Sequence, residues 1–110
     1  MNNPFQELLL CKIKKYAREN SGEESCGVIV RDLAGFKFFP CENLSLKKDS
    51  HFFIDPYILV ENNVACIYHS HVSQSSEPST LDKKTSNELC IPYLIYSLKD
   101  DDFYFYNCVH

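Results

Sequence analysis

Two histidines one residue apart, His69 and His71, are followed by a hydroxyl at Ser79 and a carboxylate at Asp82. Side chains of these types at these offsets can build an open zinc site. The residues just before them, Val64, Ala65, Cys66, Ile67 and Tyr68, have the composition of a buried strand. Positions i and i+2 of a strand face the same way, so His69 and His71 are expected to converge on one point. Asp82 as third ligand would leave one tetrahedral position for water, as in a catalytic rather than a structural zinc site. Each part also has a plainer reading. A lone histidine pair is more often surface or packing than ligand. Ser79 and Asp82 form Ser-x-x-Asp at a helix start, the pattern of a capping box. The two readings are compatible, because a helix beginning at Ser79 would present Asp82 in its first turn beside the loop from His71.

A zinc hydrolase also needs a base. Zinc lowers the pKa of bound water to about 7, and a nearby carboxylate can take the proton. Glu23 and Glu24 directly precede the apolar run Cys26, Gly27, Val28, Ile29 and Val30. A carboxylate at a strand entrance can face a site on the neighbouring strand, although two glutamates after a helix are usually a solvated pair.

The elements that must position these residues can be read in order. Phe5, Leu8, Leu9, Ile13, Tyr16 and Ala17 recur at helical spacing and predict a helix from Pro4 to about Asn20, capped by Asn3. Strands are expected over residues 26–30, 36–39 (closed by Pro40), 52–54, 64–69, 91–97 and 103–106. The last two form a hairpin around Asp100, Asp101 and Asp102. Asp55 and Pro56 predict the start of a short helix to about Glu61, and a helix is expected from Ser79 to about Leu89. Helices interspersed among strands predict one α/β or α+β layered domain spanning residues 1–110.

Taken together, these residues resemble the JAMM (MPN, Mov34/PAD-1, JAB domain) zinc metallopeptidase family. Its pattern is an upstream glutamate, then H-x-H, seven residues and S-x-x-D. His69, Ser70 and His71 with Ser79, Thr80, Leu81 and Asp82 match it without a gap, and Glu24, Ser25, Cys26 and Gly27 resemble its E-x-C-G segment. Residues 53–56, 67–68 and 92–97 are similar to the small prokaryotic and phage branch, where this domain forms the N-terminal half of tail assembly proteins of the lambda K type. The resemblance implies a mixed sheet flanked by helices, akin to cytidine deaminases. It implies zinc held by His69, His71 and Asp82. Glu24 would be general base and then acid, and Ser79 would hold the water or stabilise the oxyanion.

The implied activity is hydrolysis of peptide or isopeptide bonds, with a peptide or protein substrate and phage tail proteins as partners. The implied alternatives are a non-enzymatic tail assembly module and a hydrolase acting on the C-terminus of a sulfur-carrier or ubiquitin-like protein. Val72 stands where many relatives have proline, and proline arrives only at Pro78. A cysteine peptidase domain of the NlpC/P60 type, often present in tail proteins of this branch, is missing from these 110 residues. So are the insertions that grip ubiquitin, and ubiquitin cleavage is not expected.

Bulk properties bound the rest. A 110-residue chain can bury a real core. Net charge is −4 with no long basic run, which argues against nucleic-acid binding. No apolar run approaches the roughly 18 residues of a membrane span. The first residues lack the basic and apolar regions of a signal peptide, so a cytoplasmic or virion-associated protein is expected. The six cysteines lack any C-x-x-C pair and read as reduced thiols. A zinc deaminase would need H-x-E with a later P-C-x-x-C, and neither is present. His51, His110, Tyr93 and Tyr96 receive no site role: His51 reads as surface, His110 as a mobile terminus, and the two tyrosines as one strand packing face.

Overall fold

The computed structural model describes residues 3–109. His110 lies outside the described residues. Helix α1 (Glu7–Glu19) leads into the antiparallel pair β1 (Cys26–Asp32) and β2 (Gly35–Cys41). A loop and the short helix α2 (Pro56–Glu61) follow, then β3 (Val64–His71), α3 (Thr80–Leu89) and the hairpin β4 (Tyr93–Ser97) and β5 (Asp102–Tyr106). The sheet order is β2-β1-β3-β4-β5. Only β3 and β4 run parallel, joined by the crossover through α3, so this is a mixed sheet in an α+β domain.

Alternation along the strands divides the core in two. Ile29, Cys66, Tyr68, Leu94 and Tyr96 face α1 and pack on Leu10, Ile13 and Ala17. Cys26, Val28, Ile67, Tyr93 and Ile95 face the other way, toward α2 and residues 52–54. Burying a residue such as Ile13 completely contributes roughly 1.5–3 kcal/mol. Gly27 is forced by packing, since an added Cβ would lie 2.6 Å from both the Phe38 ring and the Phe39 carbonyl oxygen of β2.

Several sequence expectations need correction. Residues 52–54 are not a strand. Phe53 bonds Leu44 and Asn43 outside the sheet, and the segment packs as an apolar lid. The first helix opens at Glu7 behind Gln6, which makes no side-chain cap, while Asn3 accepts only the Phe5 N–H. Leu8 is 69% exposed and Leu10 takes its place in the buried stripe. Pro40 lies inside β2, where an edge strand tolerates its missing donor. Pro92 precedes β4, and β3 runs on to include His71. Tyr93 and Tyr96, three residues apart, lie on opposite sheet faces. The expected α2 start is present, with the Asp55 carboxylate accepting the Tyr57 N–H at 3.0 Å.

Candidate metal centre

The site sits where β3 ends and α3 begins. His69 and His71 share one face of β3, with ring centroids 5.0 Å apart. The residues Ser79 and Asp82 make a capping box: Asp82 N–H donates to Ser79 Oγ at 3.0 Å, and Ser79 N–H donates to Asp82 Oδ2 at 2.9 Å. The box fixes the Asp82 carboxylate against both rings, so cap and ligand geometry occur together. Cys26 pairs with His69 in the β1–β3 register. Glu24, two residues earlier in extended chain, therefore faces the same side, with Oε1 3.9 Å from His69 Nδ1. Of the sequence candidates, all five meet here. His69, His71, Asp82 and Glu24 are buried, and Ser79 borders the cavity beside them.

His71 Nδ1 lies 2.7 Å from the Ser75 carbonyl oxygen. A carbonyl can only accept, so Nδ1 carries the proton and the neutral ring presents a lone pair at Nε2. That lone pair faces Asp82 Oδ2 at 3.2 Å, an acceptor against an acceptor. Such a pair requires a proton or a cation between its members. His69 Nε2 lies 3.1 Å from Asp82 Oδ1, yet neither His69 nitrogen makes a properly directed hydrogen bond. A fully buried imidazole without partners is costly, about 1–3 kcal/mol per orphaned group. One ligand atom from each of His69, His71 and Asp82 falls within 4.8 Å of the others. Tetrahedral zinc with bonds near 2.0–2.1 Å separates its ligand atoms by about 3.4 Å. Nitrogen and carboxylate donors at these spacings suit zinc.

Electrostatics differ between the two rings. Burial lowers the His69 imidazole to about 4, which keeps it in the neutral form a metal needs. Desolvation also opposes charge on His71, but the Asp82 carboxylate and the Ser75 carbonyl outweigh it and raise its pKa. Burial would raise Asp82, and its His71 and Ser79 hydrogen bonds bring it lower instead. Burial pushes Glu24 up to about 7, with His71 opposing and Asp82 reinforcing.

The family model for prokaryotic homologs of the JAB domain matches residues 7–109. The chain belongs to this family. The chain is 33% identical over 94 residues to tail tip assembly protein K of Escherichia phage N15, covering 82% of this chain. It spans 39% of that protein's length. Protein DSY2949 from Desulfitobacterium hafniense, known from a solution structure, shares the fold at a TM-score of 0.67 and 21% identity, covering 94% of this chain and 89% of that one. The JAB/MPN family includes metallopeptidases.

Other residues of this JAB domain escaped sequence reasoning. Asn43 is buried, and its amide donates to the carbonyls of Glu24 (2.8 Å) and His51 (2.9 Å) while its oxygen accepts the Phe53 N–H at 3.1 Å. It ties the loop after β2 to the glutamate. Nothing in its polar surroundings singled it out. Phe52 stacks on His69 at 4.3 Å, and Tyr93 meets the same ring edge-on at 5.6 Å. His51 is exposed but borders a cavity of about 600 Å³ that opens onto Glu24 and Asp82. Among the described residues, no helix is long and apolar enough to cross a membrane.

Proposed function

We propose that this JAB domain is a zinc-dependent hydrolase of peptide or isopeptide bonds, working in phage tail assembly. One observation carries the reading: the His71 lone pair faces a carboxylate beside a His69 ring without partners, with a second buried carboxylate, Glu24, alongside. Zinc held by His69, His71 and Asp82 would supply Lewis acidity toward water and the scissile carbonyl. Glu24 takes the proton of the attacking water at a carboxylate oxygen and returns it to the leaving amine. Glu24 is buried beside His69 and His71, within reach of both transfers. Ser79 Oγ already accepts the Asp82 N–H, which leaves its own O–H to donate toward the water or the developing oxyanion. Ser75 holds the His71 ring in the tautomer that frees Nε2.

The test is metal analysis and peptide hydrolysis on protein purified without chelator. About one zinc per chain is expected, as is its loss in Asp82→Ala. Glu24→Gln should keep the zinc and lose at least about a hundredfold in rate. A Glu24→Gln variant with wild-type turnover would sink the assigned mechanism. The tail-protein relative favours one other reading, a non-enzymatic assembly module. Zinc content well below one per chain would support that instead.

A further inference from the structure

We infer that the cavity beside the metal centre is a specificity pocket for a large apolar side chain, the size of leucine or phenylalanine, on the peptide being cut. The inference rests on the hydrolase reading. Helix α3 supplies the first argument. Asp82 and Ser86, four residues apart, form its buried stripe. Leu81, Thr85 and Leu89, also four apart, line the cavity. Leu81 is 58% exposed and Leu89 41%. The facing wall includes Phe53, which is 53% exposed, and Leu59, while Ile67 and Tyr93 belong to the sheet beneath. Three large apolar side chains thus stay exposed around one hollow, and covering them with an apolar group is favourable.

The occupant follows from what else borders the hollow. Glu24, Ser79 and Asp82 line it too, so whatever fills the apolar part lies next to the reacting bond. A volume of about 600 Å³ is within the usual range for ligand sites and has room for a side chain with flanking backbone. Among the described residues no lysine or arginine lines it, so an acidic side chain buried against its apolar walls would lose hydration without gaining a basic partner.

The inference is tested with zinc-loaded protein and a series of quenched fluorescent peptides that differ at one position, carrying Phe, Leu, Gly or Asp. The Phe and Leu peptides should exceed the Gly peptide in kcat/KM by about tenfold or more, with Asp lowest. Leu81→Ser combined with Leu89→Ser should erase most of that margin with zinc content intact. Leu33→Ser, in the turn between β1 and β2, should change nothing. Equal kcat/KM for Phe and Gly peptides, or a margin that survives the double substitution, would overturn the pocket. If no peptide is cut, peptide hydrolysis is excluded for this series, and the same peptides are then measured as ligands by fluorescence anisotropy. Tighter binding of the Phe peptide, lost in the double variant, would support the pocket as a binding site; equal binding would overturn it.

Discussion

The two faces of the central sheet carry polar groups in opposite conditions. Toward α1, Ser25 Oγ bonds Tyr68 at 2.7 Å and Ser70 Oγ at 3.0 Å, and Ser25 N–H donates to Ser70 Oγ at 2.9 Å. This network is buried and internally partnered. One residue away on either side of Ser70, His69 and His71 project to the opposite face. There His69 has no hydrogen-bond partner among the described residues, and His71 Nε2 meets a carboxylate that only a proton or a cation can join to it. The same two strand segments therefore build a satisfied cluster on one side and an unsatisfied one on the other. A satisfied network fixes how β1 and β3 sit together. An unsatisfied one stores a demand for a ligand.

Metal addition should separate the faces most strongly. Zinc at a thousandfold excess over its dissociation constant should stabilise the chelator-treated protein by about 4 kcal/mol. Thermal or urea unfolding reads the shift. Ser70→Val should keep this increment and His69→Leu should lose it. Next in size, Ser70→Val measured in chelator should cost about 2 kcal/mol, because the Ser25 N–H loses its buried acceptor. The smallest effect has the opposite sign. His69→Leu in chelator should gain about 1 kcal/mol, since it removes buried nitrogens without partners. A loss as large as that of Ser70→Val would erase the distinction between the faces.

The meeting of His69, His71 and Asp82 was legible because its rules are local. Strand parity aligns His69 with His71, and helix-start chemistry places Asp82 three residues after Ser79. Glu24 lay further off, and the family pattern assigned it. What escaped depends on tertiary contact. Residues 52–54 are as apolar as a strand, yet their partners are His69, Tyr93 and a loop asparagine. Leu8 and Leu10 have equal helical merit, and only the direction of the sheet chooses between them. Tyr93 and Tyr96 looked alike until strand parity in the folded sheet put one beside the site and the other against Phe103. Asn43 and Ser25 are ordinary polar residues whose importance comes from what folding brings to them.

The Asn43 clamp has a consequence for how such a protein can diversify. Its amide closes the base of the loop by gripping Glu24 and His51, and the N–H of Leu44 continues the closure to the Phe53 carbonyl. Residues 45–50 between these ties are mostly exposed. Each doubling of a flexible loop costs only about 0.6 kcal/mol. The Lys48 carbonyl in that stretch also accepts the Glu24 N–H at 2.6 Å, so insertions that keep this contact can reshape the mouth of the cavity without moving Glu24.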